Sequence, residues 1–365
     1  MAGTERFIGL MSGTSLDGVD AVLMDISVSA NRMIAEVFMP YDEHLRAQLL
    51  AMHQPYAGEM HDAAVLGNQL ARVYAHAVEE LLRKTKFAAQ DITALGSHGQ
   101  TIRHRPDAGY TIQLGNGALL AELSQITVVC DFRARDIAAG GEGAPLVPAF
   151  HAAVFSDPAV HRVIVNIGGI ANLSDLPPLA AVRGFDTGPG NALMDAWVQR
   201  HSGNSFDKDG AWAQSGRSDE KLLNALLAHE FFSRKPPKST GRETFHLPWV
   251  EQHLTGREKP EDVQATLLAL TATSIAHSIR SHCPGATEVY LCGGGAQNGA
   301  LIAALKALLP GKRIARTDQL GVGADWVEAC AFAWLARQAL HGQPGNLPEV
   351  TGASGLRILG AIYPS

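Results

Sequence analysis

The sequence predicts an α/β protein built from two duplicated domains, and three observations carry that prediction. The chain has 365 residues, long for one hydrophobic core and suited to two. Short apolar runs lead three times into glycine-rich turns: Gly13-Thr14-Ser15 with Asp17-Gly18, then Gly168-Gly169, then Gly293-Gly294-Gly295. The order of elements after the first turn recurs, weakly at residue level, after the second, which reads as an internal duplication.

Taken in order, residues 6–12, 19–26 and 32–39 form an opening meander whose first two strands are joined by the first glycine turn. A long helix follows over about 61–86, where Ala64, Val65, Leu70, Val73, Val78, Leu81 and Leu82 fall near helical spacing. A strand at 92–96 delivers Ser97-His98-Gly99-Gln100-Thr101. A further strand, a short helix at 117–123 and a strand at 126–130 complete the first half. Glycine and proline in Ala138-Ala139-Gly140-Gly141-Glu142-Gly143-Ala144-Pro145 place the boundary there. The first domain is therefore residues 1–137, the second 138–344, and a tail of about 345–365 is expected to pack on the first. The second half repeats a strand at 163–165, a double-glycine turn, a strand at 171–174 and another ending at Phe185. Residues 231–253, rich in Pro, Lys and Ser, read as a surface loop or insert. A helix over 263–282, a strand at 288–292 and helices at 300–309 and 324–340 follow, then a short apolar run at 356–359.

Composition excludes several functions. Hydrophobic residues make up 46% and charged residues 18%, as in a folded globular chain. A net charge of −6 offers no footprint for nucleic acid. No apolar stretch reaches membrane-spanning length, and the first residues lack a signal-peptide pattern. Cys130, Cys283, Cys292 and Cys330 show no CxxC spacing, so free thiols in the cytoplasm are expected. The histidines form no zinc pattern.

Several residues are candidates for chemistry. Glycine lets a backbone approach a ligand and present N–H groups to phosphate oxygens, so three such turns are what a nucleoside triphosphate held between two halves would need. Any one of these turns taken alone reads as an ordinary tight turn. Asp186 follows an apolar strand in Gly184-Phe185-Asp186-Thr187-Gly188-Pro189-Gly190-Asn191. Ligands bind at such strand ends, and a fixed carboxylate beside a hydroxyl or water is a general base. Asp also opens turns and caps helices, so both readings stay open. Asp17 in the first turn suits a Mg²⁺ that offsets phosphate charge, or simply an Asp-Gly hairpin, and Asp20 is a second acidic candidate. The donor-rich loops at 97–101 and 131–136 suit a hydroxylated ligand. Within them Arg133 would orient an anionic group, or form a surface ion pair. Glu328, among apolar neighbours on a helix, is paired, exposed or functional.

Together Gly9-Leu10-Met11-Ser12-Gly13-Thr14-Ser15-Leu16-Asp17-Gly18, Gly96-Ser97-His98-Gly99-Gln100-Thr101, Asn166-Ile167-Gly168-Gly169-Ile170-Ala171-Asn172 and Asp186-Thr187-Gly188-Pro189-Gly190-Asn191 resemble the anhydro-N-acetylmuramic acid kinase family. Cys292-Gly293-Gly294-Gly295-Ala296-Gln297-Asn298 and Leu347-Pro348-Glu349-Val350-Thr351-Gly352-Ala353 fit it as well. The resemblance implies two actin-like, ribonuclease H-like α/β domains around an ATP cleft. It implies ATP-dependent, hydrolytic opening of 1,6-anhydro-N-acetylmuramic acid with phosphorylation of O6, in peptidoglycan recycling, by a homodimer. By the same resemblance Asp186 is the catalytic base. Gly13, Thr14, Ser15, Leu16, Asp17, Gly18, Val19 and Asp20 form the phosphate loop, with Gly168, Gly169, Gly293, Gly294 and Gly295 completing the nucleotide site. Arg133 and Glu328 are linked to substrate and catalysis. The substrate-binding set is Ser97, His98, Gln100, Arg133 and Asp186, and Asp17 is the candidate Mg²⁺ ligand. A simpler sugar or carboxylate kinase of the same fold, or an actin-like or chaperone-like ATPase, are the alternatives.

Overall fold

The computed structural model describes residues 4–13, 16–27, 31–241 and 243–365. It divides into unit 1, Met1–Val154 with Trp326–Ser365, and unit 2, Phe155–Asp325. The divisions fall at 154/155 and 325/326, where the sequence pointed to 137/138 and 344/345.

Unit 1 contains β1 (Glu5–Met11), β2 (Gly18–Ile26), β3 (Asn31–Pro40), β4 (Ala94–Ser97), β5 (Gln100–Arg105), β6 (Tyr110–Leu114) and β7 (Val128–Cys130). Unit 2 contains β8 (Arg162–Ile167), β9 (Ile170–Leu176), β10 (Arg183–Pro189), β11 (Glu288–Cys292) and β12 (Arg313–Arg316), and the tail adds β13 (Ala361–Tyr363) to unit 1.

The main sheet of unit 1 has the order β13-β7-β4-β1-β2-β3. Strands β1, β2 and β3 run antiparallel, as a meander must, whereas β4 joins β1 and β7 joins β4 in parallel. The helix Glu59–Thr85 covers one face: Leu66, Leu70, Tyr74, Val78 and Leu81 recur at helical spacing and pack in one core with Ile8, Leu10, Leu23 and Leu95. The helix Val327–Leu340 lies against the sheet through glycine. A Cβ on Gly9 would stand 1.9 Å from the Ala329 carbonyl oxygen, and one on Gly96 2.1 Å from that of Phe332. This helix is buried on nearly every face, from Val327 and Ala329 to Ala336. It therefore returns to the first unit although its sequence follows the second. In the tail, the observed strand is Ala361–Tyr363, paired antiparallel with β7, and the apolar run at 356–359 precedes it.

Unit 2 has the order β10-β9-β8-β11-β12. Here too the first three strands are an antiparallel meander, and β11 and β12 add in parallel. The helix Pro260–His282 packs on this sheet. Residues 231–253 are not a plain loop. They end the helix Glu230–Ser233 and contain the helix Leu247–Glu251, and Phe231, Phe245, Trp249 and Val250 are buried. The polar composition of the segment hid these spaced apolar anchors. Among the described residues no helix is long and apolar enough to cross a membrane.

Candidate active site

In unit 1 the turn between β1 and β2 is fixed by side chains. Thr14 and Ser15 lie outside the described residues. The buried Ser12 hydroxyl is 3.1 Å from the Gly18 carbonyl oxygen and 2.5 Å from Gln100 Oε1, and it accepts a hydrogen bond from the Tyr41 hydroxyl at 2.7 Å. Gln100 Nε2 donates to the Gly13 carbonyl at 3.2 Å. Leu16 takes a left-handed φ of 59°, and its N–H meets the Gly13 carbonyl at 3.3 Å. Gln100 is thus fully buried with both ends of its amide holding the turn, a buttress rather than a side chain turned to a ligand. Val19 is buried in the strand, Asp20 is half-buried opposite Met11, and Asp17 is exposed, 3.5 Å from Arg46.

At the ends of β4 and β7 the two donor-rich loops meet. Arg133 donates to His98 Nε2 from Nε at 3.1 Å and from Nη2 at 2.9 Å, and Nη1 donates to the Gly143 carbonyl at 2.8 Å. A ring nitrogen that accepts both bonds carries no proton, so the His98 proton sits on Nδ1. Burial, with Arg133 adding to it, pushes the His98 pKa down to about 3, which keeps the ring neutral. Burial lowers Arg133 to about 10, against the favourable charges of Glu328 and Asp136, so it stays cationic at neutral pH. Glu328, in the first turn of Val327–Leu340, is thereby brought into the electrostatic reach of Arg133. The fully buried Asp136 anchors this corner. Its carboxylate accepts from Gly143 N–H at 2.8 Å, from Asn346 at 2.7 Å and from the Thr351 hydroxyl at 2.8 Å. A cavity of about 340 Å³ opens beside His98, lined among others by Ser97, Gln113, Asn116 and Asp131.

In unit 2 the second and third glycine turns are neighbours, because β8 and β11 pair in parallel with Asn166 beside Cys292. The Gly168-Gly169 turn is held by backbone. Gly190 and Ala192 N–H donate to the Gly169 carbonyl at 2.9 and 3.1 Å, and Asn191 N–H to that of Gly168 at 2.8 Å. Gly293 follows at φ 77°, where a Cβ would lie 2.3 Å from Asn166 Oδ1. One for Gly295 would lie 2.3 Å from the Ile167 side chain, and Gly294 faces Asn191.

Asp186 stands on β10 opposite Asn172, at a bulge that separates it from Gly188. Its Oδ2 accepts from Thr240 N–H at 2.9 Å and from the Ser239 hydroxyl at 3.2 Å. Burial raises its pKa above the usual carboxylate value, and the two hydrogen bonds and Lys238 oppose that rise. Sequence reasoning missed Lys238, Ser239 and Thr240. The signal available was the bracketing of a polar segment by Phe231-Phe232 and Phe245. Among the described residues no group of three or more His, Cys, Asp or Glu stands ready to hold a metal ion.

The two sheets share one order. Counted within each main sheet, leaving aside the β5–β6 hairpin and the added β13, the strands run 3-2-1-4-5, as β3-β2-β1-β4-β7 and as β10-β9-β8-β11-β12. This duplicated pattern, with glycine turns after the first strand of each unit, defines the actin-like, ribonuclease H-like class. A model of the family "Anhydro-N-acetylmuramic acid kinase" matches residues 5–365. The anhydro-N-acetylmuramic acid kinase of Nitrosospira multiformis is 60% identical over 361 residues, 98% of this chain and 99% of that protein. That of Thiobacillus denitrificans is 57% identical over 365 residues, 99% of this chain and 98% of that protein. Among solved structures, a ROK family glucokinase from Streptomyces griseus, in complex with glucose and AMPPNP, aligns at 12% identity and a TM-score of 0.43, over 91% of this chain and 99% of that one. The chain belongs to the anhydro-N-acetylmuramic acid kinase family. It is a kinase that uses ATP and transfers phosphate to an alcohol group.

Proposed function

We propose that the chain takes 1,6-anhydro-N-acetylmuramic acid, ATP and water to N-acetylmuramic acid 6-phosphate and ADP, as a homodimer in cytoplasmic peptidoglycan recycling. In this reading Asp186 removes a proton from water as the water oxygen bonds to C1. The C1–O6 bond breaks, O6 bonds to the γ-phosphorus, and the bond to ADP breaks. The charge leaving C1 passes to the phosphoryl group, so no separate acid is needed. Backbone N–H groups of Gly13, Thr14, Ser15, Leu16, Asp17, Gly18, Val19 and Asp20, and of the Gly168-Gly169 and Gly293–Gly295 turns, would cradle the phosphates. Ser97, neutral His98 and cationic Arg133 would bind the sugar, with Glu328 balancing the Arg133 charge. Mg²⁺, which needs few protein ligands when phosphate oxygens supply the rest, would neutralise phosphate charge, and the exposed Asp17 carboxylate suits it. Four cysteines without a disulfide suit a reducing compartment.

The observation that carries this reading is Asp186: a largely buried carboxylate at the bulge within β10, not at the strand end that the sequence pointed to, with one oxygen held by two donors. Turnover in ¹⁸O-water tests it. Label in the C1 hydroxyl of the product, and loss of about 10³-fold or more in kcat for Asp186→Asn with ATP binding retained, are expected. Equal turnover of ordinary N-acetylmuramic acid would instead make it a simple sugar kinase, and filament formation or client-stimulated hydrolysis would make it an ATPase machine.

A further inference from the structure

The segment from Phe231 to Phe245 is fastened to the strand that carries Asp186, entirely within unit 2. Phe231, Phe232, Phe245 and Trp249 form one aromatic cluster, with centroid separations of 5.2 to 5.9 Å among neighbouring rings. The Phe232 ring lies against Gly188, where a Cβ would come within 2.7 Å of it. Between these anchors the chain closes on Asp186 from both sides. Asp186 N–H donates to the Lys238 carbonyl at 3.0 Å, and Thr240 N–H returns a bond to Asp186 Oδ2 at 2.9 Å. The Ser239 hydroxyl adds a third contact at 3.2 Å, on the same oxygen. Lys238 is itself pinned, its ammonium 3.2 Å from the Phe231 carbonyl and 4.5 Å from the centre of the Phe231 ring.

We propose that Lys238, Ser239 and Thr240 form a positioning clip for the Asp186 carboxylate, fixing Oδ2 so that Oδ1 alone meets the reacting water. The clip rests on the reading of Asp186 as base. A carboxylate turns easily about its Cβ–Cγ bond, and two donors on one oxygen stop that rotation. Among the described residues Oδ1 accepts no hydrogen bond, so it is the oxygen left for chemistry. A surface turn that merely needed capping would not require a buried lysine, an aromatic seat and a backbone bond from Asp186 to Lys238 beside the two bonds to its carboxylate. The charged groups acting on Asp186 are Lys238, which favours the ionised form, and Glu243, which opposes it. Arg234 faces Lys238 in turn.

Ser239 is exposed, so Ser239→Ala should fold as the parent does. It should lower kcat about tenfold, leave KM for ATP unchanged, and move the acidic limb of the kcat–pH profile to higher pH, because a bond favouring the carboxylate is gone. Ser239→Thr, which keeps the hydroxyl, should restore both. Lys238→Met, checked for folding by thermal melt, should move the acidic limb the same way. A parental kcat and pH profile in Ser239→Ala, or a fall in kcat matched by a loss of ATP affinity, overturns the clip. Asp186→Asn run alongside separates the two ideas. Normal turnover there removes the base and the clip together, whereas an inactive Asp186→Asn with a parental Ser239→Ala removes the clip alone.

Discussion

Units 1 and 2 share a sheet order but freeze their first turns by different means. In unit 1 the turn after β1 is held by side chains drawn from distant elements: Ser12 meets Gln100 of β5 and Tyr41, and the Tyr41 hydroxyl lies 3.3 Å from that of Tyr74. In unit 2 the turn after β8 is held by three backbone N–H groups of residues 190–192, which directly follow the strand carrying Asp186. A side-chain network spreads its stability over several replaceable groups. A backbone network couples the turn to the strand that carries Asp186, and a substitution breaks it chiefly by intruding a Cβ.

The largest effect should therefore come from glycine in unit 2. A Cβ on Gly190 would stand 2.2 Å from the Gly168 carbonyl oxygen and 3.2 Å from the Ala171 nitrogen, both backbone atoms that no rotamer can move aside. Gly190→Ala should destabilise by about 4 kcal/mol or more and yield little folded protein. A melting temperature near the parent's would show the turn to be more yielding than its hydrogen bonds suggest, and would end the contrast.

Acid should discriminate between the units next. His98 and His151, both in unit 1, are buried and pushed from 6.5 down to about 3 by burial. Their unfolded forms take up protons that the folded forms refuse. Stability is then fully present above pH 6.5 and is lost as pH falls toward 3, by about 1.4 kcal/mol per histidine for each pH unit. Asp186 in unit 2 carries a raised pKa, which works in the opposite sense. Hydrogen exchange at pH 7 and pH 4.5, corrected for intrinsic rates, should show protection lost first in unit 1 peptides. Simultaneous loss would mean that the two neutral histidines are not what limits acid stability.

Much of this arrangement was legible beforehand, and what was not has a common cause. The meanders were readable because buried strands are continuous apolar runs and glycine marks their turns. Asp186 stood out because a polar residue ending such a run is unusual. Glu328 reaches Arg133 only because Val327–Leu340 returns to seat on Gly9 and Gly96, a packing event that no local pattern announces. Ser239 contacts Asp186 across 53 positions, and a Pro- and Lys-rich stretch conceals that contact. Gln100 was read as a binding residue because polar side chains after a strand suit a ligand. Its burial against Ser12 and Gly13 depends on the turn folding over it.

That last contact sets the smaller predictions, which probe the side-chain half of the comparison. Gln100→Leu keeps the volume but leaves the Gly13 carbonyl without its side-chain donor and Ser12 with only Gly18 and Tyr41, and should destabilise by about 2 to 3 kcal/mol. Tyr41→Phe is gentler. Burial lifts the Tyr41 pKa to about 12, so its hydroxyl is a donor at every working pH, and its removal loses the 2.7 Å bond to Ser12 while Gln100 still holds the turn. About 1 kcal/mol of stability should go. If the turn cradles phosphate, ATP affinity should weaken two- to threefold, by about 0.5 kcal/mol, because the loosened Ser12 must be ordered again on binding. Calorimetric titration with ATP reads this directly. Stability lost with ATP affinity intact would leave Tyr41 a packing residue and separate the network from the nucleotide. Affinity lost with stability intact would show that the side-chain network serves the ligand more than the fold, the reverse of the backbone-held turn in unit 2.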